Sequence, residues 1–157
     1  MRRSPPIAAL ALALVAWLAA ACPGDGEATL PRGRVTIQGR TIEVDVARTG
    51  ADRARGLSGR NELAAGRGML FLHDAPGRHA YWMKDMRFAI DILWLRDGRV
   101  VDVAHRVPPP PAGLPDGALP VYAPAADADA VLEVSAGFAR IHGWDKGAQA
   151  RLELPPR

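Results

Sequence analysis

GMLFLHDAPGRHAYWMKDMRFAID, residues 68–91, carries the densest structural signal in the chain. The apolar run at 68–72 reads as a short strand covered on both faces. Asp74-Ala75-Pro76-Gly77 is strong turn chemistry, and residues 79–83 read as a second strand returning from it. Successive strand residues point to opposite faces. Trp82 and Lys84 should therefore share one face, and Tyr81 and Met83 the other. A lysine stem along an indole ring adds cation–π attraction of about 0.5–1 kcal/mol at an exposed site. Large aromatics beside charges and a turn suit a lined pocket. They equally suit the buried end of a hairpin.

Upstream, residues 35–37 and 42–46 flank Gln38-Gly39-Arg40. Ile42, Val44 and Val46 alternate with Glu43 and Asp45, the period of a half-buried strand, so this segment predicts a hairpin. Residues 49–55 predict a short helix: Thr49 caps it, Asp52 completes a capping-box pattern, and Arg53 and Arg55 suit its C-terminal dipole. Gly56 and Gly59 end it. Arg60 follows in a loop, either solvated or offering its planar fork to a carboxylate or phosphate.

Downstream, residues 90–95 are apolar on both faces and predict a central strand. Arg96-Asp97-Gly98-Arg99 turns into another strand at 100–105, where His105 ends an apolar face, as a capped structural histidine or as a ligand. Residues 107–124 form a Pro-rich loop, with extended polyproline geometry at 108–111. It is a flap or a crossing connection. A strand at 131–135, a helix at 136–142 ended by Gly143, and a strand at 150–154 complete the chain. The expected class is α+β and β-rich. It is a compact barrel-like or half-barrel mixed sheet of about seven or eight short strands with two or three small helices.

The N-terminus reads as an export signal. Arg2 and Arg3 precede an apolar run at 7–18, and Ala19, Ala20 and Ala21 precede Cys22. That is the three-part form of a secretory signal over 1–21, and the run is too short for a comfortable membrane span. Cys22 is the only cysteine, and Ala-Ala-Ala-Cys resembles a bacterial lipobox. Two or more acyl chains hold a protein at a membrane where one barely does. Residues 22–34 are then the lipidated Cys22 and a Pro/Gly-rich flexible tether, and residues 35–154 are a single globular domain with a short tail at 155–157. The expected setting is a membrane-tethered lipoprotein facing the periplasm or cell surface. Arg2 and Arg3 are two of 20 basic residues against 17 acidic, so the remainder carries only +1. That gives no electrostatic footprint for nucleic acid.

No GxSxG, HExxH, P-loop or GxGxxG pattern is present, and no cofactor is expected. His73, His79, His105 and His142 with Met69, Met83 and Met86 lack spacings that force convergence on a metal, and no metal site is expected. Asp85, Asp91 and Glu133 each adjoin bulky apolar residues, which raises a carboxyl pKa unless a cation answers. Lys84, Arg87, Arg53 and Arg60 are available answers. The set reads either as a ligand-binding or acid/base cluster, or as ion pairs fixing loops on a barrel rim.

The blocks ADRARGLSGR, GRGMLFLH, YWMKDMRFAIDILWL, DGRVV and VLEVSAGFARIHGW resemble those of the family known as domain of unknown function 192, over roughly residues 35–154. The resemblance implies a small β-rich fold, often exported or tethered, and brings no established activity. The family's recurrent polar positions fall on Arg53, Arg60, Trp82, Lys84, Asp91 and Glu133. Ser58, Asp85-Met86 and Phe88-Ala89 depart from its usual Met, Asn-Thr and Pro, and Lys146-Gly147 stands where Gly-Asp is usual.

The expected role is a non-catalytic binding or accessory module for a small polar ligand or an envelope partner. The ligand would lie near Arg53, Arg60, Trp82, Lys84, Asp85, Asp91 and Glu133. An envelope hydrolase using Asp91 or Glu133 as acid or base, and a purely structural protein, are the alternatives. If Cys22 carries the lipid, cells labelled with a fatty acid should mark the parent chain and leave Cys22→Ser unmarked; a labelled variant removes the assignment.

Overall fold

The computed structural model describes residues 29–156. The signal segment, Cys22 and residues 23–28 of the tether lie outside the described residues. The elements run β1 (Arg32–Ile37), β2 (Arg40–Ala47), α1 (Gly50–Arg55), β3 (Arg67–Gly77), β4 (Tyr81–Trp82), β5 (Ile90–Arg96) and β6 (Arg99–Val107). There follow β7 (Val121–Tyr122), β8 (Ala128–Ser135), α2 (Phe138–Ile141) and β9 (Ala150–Glu153). Seven strands form one sheet in the order β6-β5-β8-β3-β2-β1-β9, and β4 and β7 form a separate ribbon. Only β2 and β3 pair in parallel within the large sheet; its other pairs are antiparallel. The sheet curls until its edges meet at one corner. There the Ala150 N–H donates to the Gly98 carbonyl at 2.7 Å and the Val100 N–H to the Ala148 carbonyl at 2.9 Å. The β-rich half-barrel follows from this.

The β1–β2 hairpin forms as its alternation requires, turning at Gln38 and Gly39, both with positive φ. α1 has the expected capping box: the Asp52 N–H donates to Thr49 Oγ1 at 3.1 Å, and Thr49 donates back to the Asp52 carboxylate. Three expectations are corrected. β1 begins at Arg32 rather than at residue 35, because Arg32, Gly33 and Arg34 already pair with β2. Residues 68–72 and 79–83 do not make a hairpin: β3 runs on to Gly77 and is flanked by β2 and β8, leaving β4 no edge to join. β4 instead pairs with β7, inside the Pro-rich loop, with Trp82 opposite Val121. The helix expected at 136–142 is confined to Phe138–Ile141.

Strand alternation builds two cores. Side chains such as Ile37, Val44, Leu70, Leu93, Leu132 and Trp144 fill the inside of the curl. Met69, Phe71, Ile92, Trp94 and Val131 point outward and are covered by Leu57, Met83 and Met86 from the loops. The three central strands β3, β5 and β8 are thus covered on both faces, and residues 90–95 are buried throughout. Trp144 fastens the inner core: its indole N–H donates to the Ile37 carbonyl at 3.0 Å.

Asp91 lies on the inner face of β5, fully buried. Its carboxylate accepts from the backbone N–H groups of Arg106 at 2.7 Å, Gly137 at 3.0 Å and Ala139 at 2.9 Å. One side chain therefore ties β6 and the start of α2 to the central sheet. Removing it would strand buried donors, each costing about 1–3 kcal/mol. Asp91→Ala should lower unfolding free energy by about 3 kcal/mol or more, measured by urea denaturation. A loss below about 1 kcal/mol would show that the carboxylate is not structural.

Candidate functional site

The site lies on the outer face of the sheet and is centred on β8. Glu133 sits opposite Met69 of β3 and Ile92 of β5. Its neighbours across the ladder are therefore apolar on both sides, and it is 5% exposed. Burial pushes its carboxyl up to about 8. Among the described residues no hydrogen bond reaches that carboxyl, and burial is the sole cause of the shift. A carboxyl so placed is protonated at neutral pH and can donate a hydrogen bond. It ionises when a cation arrives to answer it.

Above Glu133 opens a pocket of about 270 Å³, lined by the end of α1 through Ser58, by Phe71 and His73 of β3, by residues 79–82, and by Met86. Each wall is tied down. Arg53 donates to the carbonyls of Arg48 at 2.6 Å and Leu72 at 2.9 Å, locking α1 to β3. The Trp94 indole N–H donates to the His79 carbonyl at 2.9 Å. Ser58 donates to the Lys84 carbonyl at 2.8 Å.

The polar groups of the walls are also fixed. His73 stacks on His79 with ring centroids 3.4 Å apart, and its Nε2 meets the Tyr81 hydroxyl at 3.0 Å. Burial first, then the neighbouring His79 and Arg53, lower His73 to about 4, so its ring is neutral at physiological pH. Burial, then nearby Glu133, raise the Tyr81 hydroxyl well above its usual range. Tyr81 meets Phe71 edge-on at 5.0 Å. At the mouth Trp82 is 47% exposed. Lys84 lies in the turn that follows β4, and its Nζ is 5.6 Å from the Trp82 ring centre. Lys84 also pairs with Asp116 of the Pro-rich loop, which raises its ammonium pKa.

The structure thus brings Arg53, Trp82 and Glu133 together around one pocket, with Lys84 beside Trp82. Arg60, Asp85 and Asp91 do not join them. Arg60 pairs with Asp45 at 3.0 Å in a different pocket. Asp85 occupies a left-handed turn position, φ 56°, whose carbonyl accepts from the Gly59 N–H. Asp91 pairs across the ladder with Val134, not with Glu133, so the two carboxyls project from opposite faces of the sheet. Asp91 is also fully engaged in backbone hydrogen bonds. The acid/base pair of Asp91 with Glu133 is overturned by this register.

Sequence reasoning missed Phe71, His73, His79 and Tyr81 as pocket walls. The two histidines have no periodic spacing, and only the bulged end of β3 brings their rings together. Among the described residues no group of three or more His, Cys, Asp or Glu is placed to hold a metal.

Glu133 makes stability depend on pH. Its folded pKa is raised, so the folded state holds the proton more tightly than the unfolded chain. Stability should then fall as pH climbs from about 4.5 to about 8 and level off above that. Glu133→Gln should match the parent near pH 5 and exceed it at pH 9 in urea denaturation midpoint. Parallel curves for the two chains would remove the buried, unanswered carboxyl.

The sequence profile of the family DUF192, described as Uncharacterized ACR, matches residues 33–152. A comparison with curated proteins finds no match. Among solved structures, a protein of Sinorhizobium meliloti 1021, provisionally named a transcription regulator, superposes with a TM-score of 0.70 at 26% identity, over 81% of this chain and 98% of that one. A protein of unknown function from Novosphingobium aromaticivorans DSM 12444 superposes with a TM-score of 0.67 at 28% identity, over 83% and 89%. Profile and fold agree over the same sheet that carries Glu133, and the chain belongs to the DUF192 family.

Proposed function

We propose that this chain is an envelope-tethered lipoprotein whose domain binds a small polar ligand bearing an ammonium group, without transforming it. The observation that carries this reading is Glu133, a buried carboxyl with no hydrogen-bond partner among the described residues, at the floor of an aromatic pocket. A pocket with an apolar lining and a few convergent polar groups is the usual form of a small-molecule site.

The chemistry of the walls narrows the ligand. An ammonium reaching Glu133 would drive out its proton and form a charge-assisted bond in a place shielded from water. Phe71, Tyr81 and Trp82 offer ring faces and edges to its apolar part, and ring faces attract cations. His73 is neutral and does not repel it. Arg53 is held by two carbonyls and acts as a brace for the wall. Free amino acids and short peptides have this combination of ammonium and flat or branched apolar side chain.

With the acid/base pair dissolved by the sheet register, no second carboxyl stands ready to share a reaction with Glu133. The provisional name of the S. meliloti protein points to DNA, but a chain with a charge of +1 outside its first segment has little pull on a polyanion.

The test is thermal denaturation of the chain from residue 22, with Cys22→Ser, against a panel of free amino acids and dipeptides. At least one aromatic or branched member should raise the melting temperature, and more strongly at pH 8 than at pH 6, because binding displaces the Glu133 proton. Glu133→Gln and Trp82→Ala should keep the parent circular dichroism spectrum and lose most of that rise. Equal stabilisation of parent and variants, or none by any panel member, would reject the reading.

A further inference from the structure

Beside α1 lies a second pocket of about 390 Å³, which shares Arg55 and Gly56 with the first. Arg32, Arg55, Arg60 and Arg67 line it, against Asp45 and Asp52. Asp45 is already saturated: one oxygen accepts from Arg60 at 3.0 Å and the other from Arg67 at 2.8 Å. Asp52 is turned to the capping box of Thr49. Arg67 also pairs with Glu43 at 2.7 Å, at the edge of the pocket. Arg32 and Arg55 make no ion pair or side-chain hydrogen bond among the described residues, and both are exposed. The lining therefore carries an excess of two positive charges, with two guanidinium groups still free.

We infer that this arginine pocket is a second binding site, taking the phosphate of an anionic lipid headgroup. A guanidinium fork matches phosphate oxygens two at a time. The anchored pairs Arg60–Asp45 and Arg67–Asp45 hold the back of the pocket rigid, while Arg32 and Arg55 are left to close on the anion. The position in the chain selects the source of the phosphate. Thr29 and Leu30 line this pocket, and Cys22 precedes Thr29 by seven residues, a reach of at most about 25 Å. A lipid at Cys22 keeps the pocket mouth that close to the membrane surface. Arg55 and Gly56 border both this pocket and the Glu133 pocket, while Glu133, His73, Tyr81 and Trp82 line only the latter.

The chain from residue 22 with Cys22→Ser contains every described residue, so both cores are intact in it. Its co-sedimentation with vesicles tests the inference. Phosphatidylcholine vesicles should retain little protein. Phosphatidylcholine–phosphatidylglycerol vesicles should retain it at low salt and release it as salt rises. Each arginine near an anionic surface contributes enough that Arg32→Gln with Arg55→Gln should weaken retention about tenfold or more. Arg40→Gln, at the far end of β2, is the control and should bind like the parent. Equal retention of the double variant, or no preference for anionic vesicles, overturns the site. Inorganic phosphate that stabilises the parent while anionic vesicles fail to retain it overturns the lipid as its source. These readings use an unlipidated chain, so they stand apart from fatty-acid labelling at Cys22.

Discussion

Covering β3, β5 and β8 on both faces is the constraint from which the rest of this domain follows. A strand buried on one side can place its polar residues in water. A strand buried on both cannot, and any carboxyl on it must be answered by protein groups or remain a desolvated acid. Two carboxyls meet that constraint in opposite ways. Asp91 is answered three times over by backbone N–H groups. Glu133, one strand away and facing the other core, is left without a partner among the described residues. The first becomes a joint of the fold and the second the floor of a pocket.

Local signals in the sequence carried over wherever the partners were local. The alternation of Ile42, Val44 and Val46 placed β2, and Thr49 with Asp52 placed the start of α1. Trp82 and Lys84 do meet, but Lys84 reaches the ring from the turn that follows β4 rather than from the strand. Arg60 found a carboxylate in Asp45, through one guanidinium nitrogen. The turn at 74–77 failed for a non-local reason. Its residues favour a reversal, but α1 carries the chain across from β2 to β3 in parallel, and β8 fills the other edge. A returning strand had nowhere to pair. Asp91 and Glu133 look alike in sequence, each between two branched apolar residues. Only the register of β5 against β8 shows that they face opposite cores.

The walls around Glu133 share a feature that bears on what such a carboxyl is for. α1 is locked to β3 through Arg53, the 79–82 segment is hung from Trp94, and the loop before Lys84 is pinned by Ser58. The pocket is therefore formed before any ligand arrives. A leucine at residue 133 would pack against Met69 and Ile92 with no acid to desolvate, so the carboxyl lowers the stability of the fold at neutral and higher pH. Folding has already removed most of the water from around this group. A ligand that supplies a partner gains a charge-assisted bond in a shielded place without bearing the desolvation of Glu133 again, and without ordering the walls. Rigid walls around an unanswered carboxyl favour a ligand small enough to reach the floor over one wide enough to spread across the mouth.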